Sequence, residues 1–206
     1  ITSDRGLCGS LNINMLRTVV NRMKEWRGAG VEVEVCAIGG KGLGFLQRVG
    51  ANIVSYVRGI GDSPHLERLT PALNVLFKDY TDGKIDQIHL CTSVFINTMT
   101  QKPVIRQLLP LDPSGEQSFA HRWDYLYEPE ARPLIEALVG RFIESQVYQA
   151  VVENHACEQA AKMIAMKSAT ENAEKLIDEL TLIYNNARQA SITQEIAEIV
   201  GGAAAV

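Results

Sequence analysis

The sequence predicts an α/β domain followed by one very long helix. Three observations lead there. Residues 1 to about 130 alternate short apolar runs with stretches of helical periodicity, the signature of strand–helix units. Beyond that point the composition changes in kind, because residues 134–200 contain no proline and a single glycine, Gly140. Within that stretch apolar residues recur at alternating steps of three and four, as on a helix that meets another helix. The expected division is therefore 1–130 for the α/β domain and 131–206 for the long helix.

The elements follow in order. Ile1 and Thr2 read as the stub of a first strand, so the chain opens partway along that strand. Residues 12–26 read as a helix, because Leu11, Met15, Leu16, Val19, Val20 and Met23 fall on one helical face and Gly28 and Gly30 close it. Residues 31–38 (VEVEVCAI) alternate apolar and acidic side chains before turning wholly apolar, as a strand entering a sheet does. A short helix over 41–49 and a strand over 51–57 come next. A third helix spans 64–80 and ends near Asp82 and Gly83. Residues 85–95 and 103–109 read as two strands joined by a polar hairpin turn over 97–102. Pro110, Pro113 and Gly115 mark a loop over 110–122, and 124–128 reads as a short edge strand before Pro129.

The last helix should run for about 65 to 70 residues, roughly 100 Å at 1.5 Å per residue. No other helix in the sequence is long enough to cover it. Met166, Ala169, Ala173, Leu176, Leu180, Ile183, Ala187 and Ala190 form a heptad seam. Several of these are alanine, so a partner helix can approach closely. Upstream, Ile135, Leu138, Phe142, Ile143, Val147 and Val151 form a bulkier stripe suited to resting on the α/β domain or on a second helix. The expected partner for the seam is an N-terminal helix leading into the strand at Ile1.

Composition narrows the function. The formal charge is -4 and no basic face dominates, which argues against nucleic acid. Cys8, Cys36, Cys91 and Cys157 share no metal-ligand spacing and read as reduced thiols. His65, His89, His121 and His155 are equally scattered, so no zinc site is expected. No window of about 18 apolar residues exists and no signal peptide is visible, so any link to a membrane runs through a partner.

Two glycine-containing turns could present backbone N–H groups to phosphate. The first, 3–12 (SDRGLCGSLN), lacks both the G-x-x-x-x-G-K-S/T and the G-x-G-x-x-G spacing. A tight strand-to-helix turn, with Ser10 or Asn12 capping the helix, explains it better. The second, 39–44 (GGKGLG), follows a strand and precedes a helix. Its Lys41 is followed by Gly42, so the magnesium-ligating hydroxyl is missing, and a flexible turn is favoured. No G-x-S-x-G occurs, and Asp178 and Glu179 sit together on the long helix as solvated carboxylates. The residues themselves leave two readings open: a nucleotide-dependent enzyme, or an adaptor that dimerises through its long helix.

Several stretches carry a resemblance. They are 3–14 (SDRGLCGSLNIN), 95–99 (FINTM), 123–129 (WDYLYEP), 165–170 (AMKSAT), 178–182 (DELTL) and 184–200 (YNNARQASITQEIAEIV). Together they resemble the gamma-subunit family of the bacterial rotary ATP synthase, along the whole chain. The resemblance implies a Rossmann-like mixed-sheet domain that binds no nucleotide or other cofactor. It implies that the long helix is half of an antiparallel coiled coil standing inside a ring of three alpha and three beta subunits. The α/β domain would lie beside the epsilon subunit and on the ring of c subunits. Arg188 and Gln189 match the pair that hydrogen-bonds a beta-subunit catch loop, and Thr193 and Glu195 match neighbouring contacts. Tyr125, Tyr127 and Glu128 match the loop facing the c ring. The family's role is a non-catalytic shaft, peripheral on the cytoplasmic face of the bacterial inner membrane, coupling proton flow to ATP synthesis. The wording resembles proteobacterial members more than mitochondrial ones, and the cysteine-bearing insertion of chloroplast members is absent.

Overall fold

A computed structural model describes residues 1–61, 64–111 and 131–204. The elements run α1 (Leu11–Gly28), β1 (Glu34–Ile38), α2 (Gly40–Arg48), β2 (Asn52–Val57), α3 (Leu66–Thr81), β3 (Ile88–Phe95), β4 (Gln101–Leu109) and α4 (Ala131–Ala204). The strand predicted over 124–128 and most of the loop before it lie outside the described residues.

Two strand pairs make up the described sheet structure. β1 and β2 are parallel and pair from Glu34 opposite Asn52 to Ile38 opposite Val57, with a register shift between Val35 and Cys36. β3 and β4 are antiparallel and joined by a tight turn. Asn97 builds that turn, since its Oδ1 accepts the Met99 and Thr100 N–H groups at 3.0 and 2.7 Å. Pro103 lies within β4, opposite Ser93. A proline that donates no ladder bond is tolerated on a strand that, among the described residues, is paired along one side only. The predicted stub at Ile1 and Thr2 bridges the two pairs. Ile1 N donates to Cys91 O of β3 at 2.7 Å, and Thr2 N donates to Ile38 O of β1 at 2.8 Å. Among the described residues the parallel and antiparallel pairs form two separate two-stranded sheets, linked by the stub, within the expected α/β domain.

Helices cover both faces, as alternation along β1 requires. Ala37 faces Leu16 and Met23 of α1 and Leu43 and Leu46 of α2. Its neighbour Ile38 faces Leu69 and Leu73 of α3 and Ile143, Val147 and Val151 of α4. The bulky stripe predicted at the start of the long helix therefore divides. Ile143, Val147 and Val151 are buried, whereas Ile135, Leu138 and Phe142 remain exposed. β3 adds polar fastenings to the same helix. Thr92 Oγ1 donates to Ala150 O at 3.2 Å, Phe95 N donates to Glu153 Oε1 at 3.1 Å, and the Cys157 thiol donates to Ser93 O at 3.4 Å. These contacts lie three to four residues apart along α4, so one face of the helix is pinned.

Contacts divide the chain into Ile1–Ile164 and Ala165–Val206. The expected division fell at residue 130, before the long helix. The structural one falls inside α4, because the helix segment from Val139 to Ala161 contributes to the core of the first unit.

One cap differs from expectation. Ser10 occupies the N-cap of α1 without a side-chain capping bond. Its backbone (φ -88°, ψ 0°) departs from the extended conformation that aims a cap oxygen at the helix amides. Asn12 does not cap either. Its Oδ1 accepts Ser3 N–H at 3.1 Å and its Nδ2 donates to Ser3 Oγ at 2.7 Å, which ties α1 to the turn after Thr2.

Candidate functional site

The surface of α4 is where a partner can be read. All eight seam residues, Met166, Ala169, Ala173, Leu176, Leu180, Ile183, Ala187 and Ala190, are exposed. Leu176 and Leu180 are each 55% exposed and Ile183 is 62% exposed. Solvating so many aliphatic side chains in regular array is unfavourable, and such an array marks an interaction surface. Helix propensity favours this stretch, which lacks β-branched runs and proline.

Further along, Arg188, Gln189, Thr193 and Glu195 are exposed on the same helix. The Arg188 guanidinium lies 6.0 Å from the Tyr184 ring centroid, one turn earlier. Thr193 Oγ1 donates to Gln189 O at 2.8 Å, which spends that hydroxyl's proton on the backbone and leaves its lone pairs outward. Tyr125, Tyr127 and Glu128 lie outside the described residues.

The two glycine turns have other work. At the start of α2, the amides that could cradle a phosphate are already engaged. Gly39 N donates to Val57 O at 2.8 Å and Lys41 N donates to Ser3 O at 3.0 Å. Gly42 N donates to Thr2 Oγ1 at 2.9 Å, and Gly40 N donates to Asp4 Oδ1 at 2.9 Å. The glycines are required by close approach. A Cβ on Gly39, whose φ is +104°, would lie 2.1 Å from Thr2 O, and one on Gly42 would lie 2.6 Å from Thr2 Oγ1. The residues that pack into the loop are Thr2, Ser3 and Asp4. Asp4 was not singled out from the sequence. Its position directly after a strand stub, facing a glycine loop from the next strand, was the available signal.

The cysteines are free, as their spacing suggested. Burial pushes the thiols of Cys36 and Cys91 above their usual range. Cys157 is pushed up to about 11, first by burial and then by the Glu153 carboxylate. Such thiols stay protonated and are poor nucleophiles near neutrality. His89 is lowered by burial and by the Arg22 charge, and it stacks on Trp26 at 4.8 Å between ring centroids. His155 lies 3.8 Å from Glu158. Among the described residues no group of three or more His, Cys, Asp or Glu is placed to hold a metal. Among the same residues no helix is long and apolar enough to cross a membrane.

Residues 1–206 match the family described as ATP synthase. The chain is also 53% identical to the ATP synthase gamma chain of Thiobacillus denitrificans over 209 residues, covering all of this chain and 72% of the relative. The chain belongs to the ATP synthase gamma-chain family. Solved structures agree on the fold. A central stalk and c-ring structure of the Tetrahymena thermophila mitochondrial ATP synthase matches at TM-score 0.64 and 25% identity, covering 82% of this chain and 74% of that one. The rotor of the Euglena gracilis mitochondrial ATP synthase matches at TM-score 0.68 and 20% identity, covering 93% and 72%. A second Euglena gracilis structure matches at TM-score 0.72 and 21% identity, covering 99% and 70%.

Within the gamma-chain family reading, the predicted residues fall into two groups. Seam and polar positions share one continuous helix and differ in its facing. The residues that fix the foot of that helix, Thr92, Ser93 and Glu153, were legible only once the fold placed β3 beside α4.

Proposed function

We propose that this chain is the central rotor shaft of a proton-translocating ATP synthase. It couples rotation of a c ring, driven by proton flow, to conformational change and ATP synthesis in beta subunits. The observation that carries this reading is α4: one uninterrupted 74-residue helix, pinned to a small α/β domain near its start and apolar and exposed over the seam. That is the construction of an axle that needs a partner helix for stiffness and a sleeve to turn in. The seam accepts an antiparallel partner helix, and its alanines bring the two backbones close.

The chain's part is non-catalytic. It presents one asymmetric surface to three chemically identical beta subunits, so each angular position favours a different open or closed state. Shifting a two-state site from mostly one form to mostly the other needs about 5.5 kcal/mol of differential binding. Each charge crossing 100 mV releases about 2.3 kcal/mol, so a few protons are sufficient. Arg188 and Gln189 engage a beta-subunit catch loop, with Thr193 and Glu195 as neighbouring contacts. Tyr125, Tyr127 and Glu128 face the c ring, and the α/β domain sits beside epsilon. The complex places the chain peripherally, on the cytoplasmic face of a bacterial inner membrane, with alpha and beta subunits around α4. A nucleotide-dependent enzyme is disfavoured by a glycine loop whose amides are all taken by the chain itself.

The test is Arg188→Ala combined with Gln189→Ala in the assembled complex. Both side chains are exposed, so the fold and the assembly should survive. Coupled ATP turnover and proton pumping in inverted vesicles should fall. Unchanged pumping would remove these two residues from the coupling step.

A further inference from the structure

The apolar stripe by which α4 meets the domain repeats itself. Val139, Ile143, Val147 and Val151 follow one another at steps of four. Ile143, Val147 and Val151 are buried with Ile38, Leu69 and Leu73, and Val139 packs against the same core. Residues four apart lie one above the other on a helix face. All four are β-branched and differ only by the extra carbon of Ile143. A slide of the helix by four residues, about 6 Å, therefore sets a near-equal side chain in each place. Apolar attraction is non-directional and does not tell the two registers apart.

The polar contacts from β3 do tell them apart. Thr92 Oγ1 donates to a backbone carbonyl, Ala150 O, at 3.2 Å, and the next turn of a helix offers an equivalent carbonyl. The Glu153 carboxylate has no such equivalent. It accepts Phe95 N–H at 3.1 Å, where β3 ends. One turn further, Cys157 is 0% exposed and its thiol donates to Ser93 O at 3.4 Å. In a slide that carries residue 149 into the place of 153, Gln149 meets Phe95 N–H and can accept it. Glu153, however, arrives in the enclosed place of Cys157, against the Ser93 carbonyl, where a carboxylate is strongly disfavoured. Gln146 arrives in the place of Ala150, which is 5% exposed, and overfills it. The opposite slide carries His155 into the place of buried Val151, which the core disfavours.

We propose that Glu153 is the register lock of α4. It is a positioning residue, seconded by Gln146, that selects one of two registers the apolar stripe accepts. It holds Phe95 N–H in one register and is barred from the Cys157 place in the other. A single polar group that fixes register among apolar repeats follows the logic of a polar core position in a coiled coil, and one-turn slides of packed helices are an established kind of switching movement. The inference deepens the rotor reading, since it names the residue that sets the axial position of the shaft. Its test reads the chain alone, so either can fail while the other stands.

The experiment is alkylation of the full chain by iodoacetamide at pH 8, followed at Cys157 by mass spectrometry. It compares Gln146→Ala/Glu153→Ala with Gln146→Ala/Glu153→Gln. Both lack the Glu153 charge that raises the Cys157 thiol, so that effect cancels. Glutamine keeps an oxygen for Phe95 N–H and a bulky polar group that the Cys157 place disfavours, and alanine keeps neither. In the slid register Cys157 takes the place of Ala161, which is partly exposed. The alanine variant should therefore react about tenfold faster than the glutamine variant. The amides of residues 139–151 should stay slow to exchange in both, because the stripe is docked in either register. Equal alkylation rates overturn the proposal. Fast alkylation with freely exchanging amides over 139–151 also overturns it, because the helix has then come away from the core instead of sliding along it.

Discussion

Replacing Leu176, Leu180 and Ile183 together by alanine separates the two roles of α4. The three side chains are 55%, 55% and 62% exposed, so the first unit of the chain gains little from them. Alanine keeps the helix propensity, so the helix itself should persist. Fully burying such a side chain stabilises by about 1.5 to 3 kcal/mol, and roughly half of that surface is still open here. A partner helix that covers the seam therefore gains about 0.8 to 1.6 kcal/mol per residue, or roughly 2.5 to 5 kcal/mol for the three. At 1.4 kcal/mol per decade this is a change of about fifty-fold to a few thousand-fold in the opening of the coil. The assay is amide hydrogen exchange over residues 170–190, in the assembled complex and in the chain alone. In the complex the triple variant should exchange faster by that factor. In the chain alone, unfolding of the α/β core in urea should shift by less than about 0.5 kcal/mol. A large loss of core stability in the isolated chain, or unaltered exchange in the complex, refutes the partner-helix argument.

Other perturbations probe the remaining parts. Ala187→Trp places an indole on the alanine side of the seam and should block assembly with alpha and beta subunits; normal co-purification of the variant would count against a tightly enclosed helix. Leu69→Ala removes a side chain that is 0% exposed in the core between α3 and α4. It should cost about 2 to 5 kcal/mol, read as a lower urea midpoint with an unchanged slope. Cys157, whose thiol is pushed up to about 11, favours its protonated form in the fold. Folding therefore loses support as pH rises from about 9 towards about 11, with no effect below that window. Alkylation of Cys157 by iodoacetamide at pH 8 should accordingly be far slower in the folded chain than in urea.

The long helix was the most legible element, because an interior free of proline and nearly free of glycine leaves few alternatives to helix. The three–four spacing of apolar residues along it places them on one face of the helix. Strand β1 was overextended. The expected strand began at Val31, but pairing with β2 starts at Glu34, and Val31 stays 51% exposed. Alternation alone cannot tell a paired residue from one that merely approaches the sheet. The stripe at 135–151 was read as one surface, yet only Ile143, Val147 and Val151 meet the core. Which turns of a helix touch a domain depends on where the sheet ends, and periodicity does not carry that information.

The glycine-rich loop shows why local motifs mislead about chemistry. Residues 39–44 hold what a phosphate turn needs: small residues, a preceding strand and a helix N-terminus. What decides their use is a segment more than thirty residues away, because Asp4 and Gly40 are separated by 36 positions. The same separation is mechanically useful. Residues 1–5 touch β1, α2, β3 and the loop after β2, and α4 is fastened to β3 by Ala150, Glu153 and Cys157. A load applied to the first unit therefore reaches the helix through hydrogen bonds and a packed core rather than through a single hinge. A domain that ties its glycine loop to its own first residues gains rigidity at the foot of the helix and leaves the amides at the start of α2 already paired, as expected of a part that transmits force.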